Sequence, residues 1–155
     1  MSDEIRAISG SHLAVEEAME SLISVARRIR QEEDVNKRDR KDLLRQTGQL
    51  AEALEEHVEM GHSRVDEVSK AILGERPCEV EDLDAGSKRF LRQVHELQTL
   101  VKTLKPGESV HSPPWQQFET LLQQSVETLD RCSDQEWDFY TRYGSVLFPA
   151  GTASE

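Results

Sequence analysis

Imidazole, thiol and carboxylate side chains bind transition metals, and four of them stand on rows of this sequence that otherwise read as apolar: His12, His57, Cys132 and Glu136. Two imidazole nitrogens, one thiolate and one carboxylate oxygen have the composition of a tetrahedral zinc-like or ferrous site. His62 with Asp66, four residues apart, and His95 on a separate segment are weaker metal candidates.

Ordinary roles compete for the same residues. His12 and His57 can be partly buried histidines hydrogen-bonded across a core, with Glu136 as their partner. Cys132 can be a small buried hydrophobe. A Cys-His pair also suggests a thiol nucleophile, but that chemistry needs a pocket and an oxyanion site that a closed bundle rarely provides. Phosphotransfer on histidine needs a solvent-facing ring, which leaves outward-leaning His62. No catalytic residue is assigned, and turnover is not expected.

Helices must position these groups. Apolar residues recur three and four apart through four long segments, and none alternates like a strand. The first helix, roughly Asp3 to Glu32, turns Ile5, Ile8, His12, Val15, Met19, Leu22, Ala26 and Ile29 inward. The second, roughly Lys37 to Leu73, places Leu43, Leu50, Leu54, His57, Gly61, Val65, Val68 and Ile72 on one face, with Gly74 just past its end. After Pro77 and the acidic run Glu79, Glu81, Asp82 and Asp84, a third helix of about Asp84 to Leu104 stops at Pro106-Gly107. Ser112 and Pro113-Pro114 launch the fourth, which runs to about Tyr143 with Trp115, Phe118, Leu122, Ser125, Leu129, Cys132, Glu136, Phe139 and Tyr143 inward. The expected fold is all-α, an antiparallel up-down-up-down four-helix bundle over residues 1–144. The tail, residues 145–155, reads as flexible, although Val146, Leu147 and Phe148 are apolar enough to fold back.

With turns near residues 34 and 109, antiparallel helices climbing about 1.5 Å per residue bring His12, His57 and Cys132 to one height. Glu136 lies a helical turn beyond Cys132, as Gly61 does beyond His57. His95 falls on the order of 13 Å lower.

An early His, two His-x-x-x-Glu pairs and a further His on four helices are the pattern of the hemerythrin-like bundles, which the chain resembles in helix count and spacing. His12 in Ser11-His12-Leu13 matches the early His, and Cys132-Ser133-Asp134-Gln135-Glu136 matches one pair with Cys in place of His. His57 is followed by Gly61 where the family has a carboxylate; His62-Ser63-Arg64-Val65-Asp66 is the alternative register. The resemblance implies bound iron. The depleted ligand set favours one ion, iron or zinc, and a sensing or binding role. The competing function is a metal-free interaction bundle, an adaptor or a secretion-type chaperone.

Charge narrows the partners. Nineteen Lys and Arg against thirty Asp and Glu give a net charge of −11, which disfavours nucleic acid and anionic membrane. No segment approaches the roughly 20 apolar residues of a membrane span, and no basic-then-apolar leader opens the sequence. Two cysteines, Cys78 and Cys132, read as reduced thiols, so a cytoplasmic location is expected. A protein partner has two candidate surfaces, the Trp137/Tyr140 face and the basic turn Arg27–Lys41.

Overall fold

A computed structural model describes residues 3–149. α1 (Asp3–Glu32) is followed by β1 (Asp34–Val35), α2 (Lys37–His57), a π-helical turn (Val58–His62) and α3 (Ser63–Leu73). Then come α4 (Cys78–Thr103), β2 (Glu108–Ser109) and α5 (Pro113–Leu147). Because α2, the π turn and α3 run on without a break, the described residues make four helical rods in an all-α bundle. Among the described residues, no helix is long and apolar enough to cross a membrane.

Local chemistry sets the ends of the rods. Asn36 caps α2 by accepting the Asp39 N–H at 2.8 Å. Gly74 closes α3 at φ 74°, the left-handed conformation that costs glycine least. Ser112 stands at the start of α5, but its side chain makes no capping hydrogen bond. A cap oxygen accepts from the second or third helical N–H, and Pro114 at the second position has none.

Contacts along the rods show how neighbours run. Glu4 meets Arg64 and Ser11 meets His57, so α1 and the α2–α3 rod are antiparallel. Glu79 meets Arg142 near the start of α4 and the end of α5. His12 meets Ser133 while Arg30 meets Glu119, which sets α1 antiparallel to α5. The two long turns come together at one end, where β1 and β2 pair antiparallel, Asp34 with Ser109 and Val35 with Glu108. This short pairing departs from the strand-free expectation. It satisfies backbone groups that the turns would otherwise leave without partners.

Several boundaries differ from the sequence reading. α4 begins at Cys78, directly after Pro77, so the acidic run belongs to its first turns, where carboxylates favour the positive end of the helix. α5 continues to Leu147, and Leu147 and Phe148 are buried, so the chain at 145–148 is structured rather than loose. The rest of the expected tail, residues 150–155, lies outside the described residues. Ile72, expected inward, is exposed, although Val65 and Val68 on the same row are buried as expected.

The apolar core falls into two clusters. One, near the paired turns, includes Val15, Met19, Leu22, Leu50, Leu54, Phe90, Leu97, Trp115, Phe118 and Leu129. The other, at the opposite end, includes Ile5, Ile8, Val65, Val68, Val80, Leu83, Phe139, Leu147 and Phe148. Buried polar side chains His57, His62, Ser87 and Glu136 lie on the rods between them. Four buried apolar side chains in that layer would contribute about 6–12 kcal/mol at 1.5–3 kcal/mol each. The polar layer forgoes that stabilisation.

Candidate functional site

The layer is organised around one carboxylate. Glu136, on α5 and 6% exposed, receives three imidazoles. His57 Nε2 lies 2.5 Å and His62 Nε2 2.8 Å from its Oε1, and His12 Nδ1 lies 2.7 Å from its Oε2. His57 packs edge-on against both other rings, with centroids 5.1 Å from His12 and 5.3 Å from His62.

The π turn explains why both His57 and His62 face inward. Five residues of α-helix rotate a side chain about 140° away from its starting direction. In the π turn the Ser63 N–H bonds to the Val58 carbonyl five residues back, which absorbs the excess rotation. His62 is therefore buried rather than outward-leaning, and it is not available as a solvent-facing phosphotransfer residue.

Gly61 is buried beside them. A Cβ added there would stand 3.0 Å from Ile8 Cγ2 and 3.7 Å from His57 Cε1. The position where the hemerythrin-like pattern places a carboxylate thus has no room for one unless Ile8 moves.

Hydrogen bonds behind the rings fix their tautomers. Ser11 Oγ donates its only proton to the Ile8 carbonyl at 2.7 Å, so it accepts from His57 Nδ1–H at 2.7 Å. His12 Nε2 stands 2.9 Å from Glu16 Oε1 and 2.8 Å from Ser133 Oγ. A carboxylate only accepts, so His12 Nε2 carries a proton. In neutral imidazoles, both inward nitrogens are then bare lone pairs aimed at carboxylate oxygens. That is repulsive unless positive charge, protons or a cation, lies between them. His12 Nδ1, although 2.7 Å from Glu136 Oε2, is out of line for a hydrogen bond and has no hydrogen-bond partner among the described residues.

Titration follows the same geometry. Burial works to raise the Glu136 carboxyl, but the adjoining His12, His57 and His62 outweigh it and hold the group far below the usual carboxylate range. Burial works to lower His12, yet the adjoining Glu136 and Glu16 leave it above its ordinary 6.5. Cys132 is pushed up to about 11, first by burial and then by the charge of Glu136, so it is a thiol at neutral pH. Burial, then Glu136, also raises the Tyr140 phenol.

His12, His57 and Glu136 present ligand atoms within 4.8 Å of one another and can hold a metal ion. His62, read as a weaker candidate, joins the layer through Glu136. Cys132 does not join this group. Its Sγ packs over Gly86 of α4, where an added Cβ would lie 3.2 Å away, because a side chain one turn before Glu136 is rotated toward α4. Asp66 lies outside the layer, paired with Lys70 at 3.2 Å and Arg76 at 2.8 Å. His95 is exposed beside Glu55 at 3.4 Å. Glu16, Ser11, Ser87 and Ser133 are participants the sequence reading passed over. One signal was present: His12-Leu13-Ala14-Val15-Glu16 has His-x-x-x-Glu spacing on α1.

The two expected partner surfaces are partly committed within the chain. Arg28 binds Asp39 and Asp42, Arg40 donates to the Leu104 carbonyl, and Arg30 pairs with Glu119. Tyr140 packs on Phe139 and Phe148, whereas Trp137 is 73% exposed.

No family model matches the chain, and neither does any curated protein or solved structure.

Proposed function

We propose that the protein binds one transition-metal ion, ferrous iron or zinc, through His12, His57 and Glu136, and acts as a binding or sensing bundle of the hemerythrin-like kind. The observation that carries this reading is the pair of inward imidazole nitrogens, backed by Ser11 and Glu16 and facing a buried carboxylate, where a cation can take the place of protons between them. Such outer hydrogen bonds orient metal-binding histidines and raise their basicity. His62, bonded to the same carboxylate, holds Glu136 in place.

Two imidazoles and one carboxylate with further positions open suit ferrous iron, and zinc accepts the same donors. The blocked position at Gly61 favours one ion over two. Ligand atoms about an ion with bonds near 2.1 Å stand about 3–4 Å apart. Loading the site then moves the imidazoles several tenths of an ångström away from the carboxylate. Since the ligands come from α1, α2 and α5, that adjustment ties three rods together, which gives a sensor its mechanical output.

The test is metal content after loading the purified protein with ferrous iron under anaerobic conditions, or with zinc. One ion per chain is expected in the unaltered protein and none in His57→Leu. Equal metal content in the two excludes His57 as a ligand. A protein that takes up neither metal and co-purifies with a partner supports the metal-free interaction bundle instead.

A further inference from the structure

We propose that the groove between α1 and α5 is the route by which the cation reaches the site, with Glu16 as its outer carboxylate and His12 as the side chain that passes it inward. The inference rests on the metal-binding reading above. The groove encloses about 540 Å³. Glu16, Glu20, Asp130 and Asp134 form its rim, and no Lys or Arg lines it.

Two other openings near the layer carry a cation in their walls. The cleft between α4 and α5 has Arg142, paired with Glu79 across it. The groove between α1 and α3 has Arg64, and Ile8 seals it against Gly61. A field of one sign in a concave surface raises the local concentration of counter-ions and speeds their capture. Among these three openings, only the α1–α5 groove offers such a field to a cation.

The groove also connects to the site. Glu16 and Ser133, both in its lining, contact Nε2 of His12, while Nδ1 of the same ring faces Glu136. His12 is the least buried of the three imidazoles, with 14% of its side chain exposed against 3% for His57 and 6% for His62. One ring therefore touches the groove carboxylate with one nitrogen and the buried carboxylate with the other. Rotation of that ring opens the path without moving a helix.

Stopped-flow absorbance of Co²⁺ binding to the metal-free protein tests the route. Glu16→Gln removes one rim charge, and Glu96→Gln makes the same change outside the groove. Glu16→Gln is expected to lower the association rate constant about tenfold at low salt, within the range of steering effects. The difference should shrink toward 1 M salt, where the Debye length is about 3 Å. Glu96→Gln should leave the rate within about twofold, as expected for a charge outside the groove. Tight Co²⁺ binding with equal association rates in all three proteins overturns the route and leaves the metal site standing. So does a Glu16→Gln effect confined to dissociation. Failure of the unaltered protein to bind Co²⁺ at equilibrium overturns both readings.

Discussion

Replacing Glu136 with Gln conserves shape and removes the one charge on which three imidazoles converge. In the metal-free protein, loss of one partner from a buried charged network costs about 3–5 kcal/mol. For a chain of this size about 2–4 °C of melting temperature accompanies each kcal/mol, so a fall of about 6–20 °C is expected at pH 6. The size of the fall depends on pH. The folded pKa of His12 is raised above 6.5, so its stabilising contribution is complete below about pH 6.5 and fades as pH rises through the raised value. The Glu136 carboxyl is depressed, so its contribution is present above about pH 4.3 and is lost as pH falls toward its folded value. The cluster is thus most stabilising between about pH 4.5 and 6.5, and the gap between the unaltered protein and Glu136→Gln should narrow by pH 8.5. Zinc at about 100 times its Kd should add about 2.7 kcal/mol, roughly 5–10 °C, to the unaltered protein and nothing to the variant. Calorimetry or thermal circular dichroism at pH 6 and 8.5, with and without zinc, reads all four conditions. Equal melting temperatures of the two metal-free proteins at pH 6 would refute the claim that Glu136 holds the charge of this layer.

Metal affinity should run opposite to metal-free stability, strengthening as pH rises from 5.5 to 7.5 because the ion competes with the proton on His12, whose pKa is raised; titration against a chromophoric chelator measures it. Ser11→Ala should weaken zinc binding about 10–100-fold by releasing His57 Nδ1, and Ser11→Thr, which keeps the hydroxyl, should restore most of it. Gly61→Ala should lower thermal stability by about 1–2 kcal/mol despite alanine's better helix propensity, since the new Cβ crowds Ile8 3.0 Å away. A thiol reagent at pH 8 should label exposed Cys78 and spare buried Cys132, and Cys132→Ser should leave zinc stoichiometry unchanged; labelling of both thiols in the native protein contradicts this placement.

The sequence by itself determined the helices and much of the layer. Apolar spacing of three and four requires amphipathic rods, and the short links at 33–36 and 104–112 bring consecutive rods side by side. Equal rise per residue then puts His12 and His57 at one height. Glu136 followed because it interrupts an apolar row. Tertiary structure decided which groups at that height point at one another. A π turn is invisible to a 3.6-residue period, so His62 read as outward although the extra residue rotates it onto Glu136. Cys132, one turn from Glu136, shares its row but not its direction, and packs on Gly86 instead. The hydroxyl of Ser11, adjacent to His12 in the chain, serves His57 on another helix, because hydrogen bonds follow distance in space and not order in the sequence.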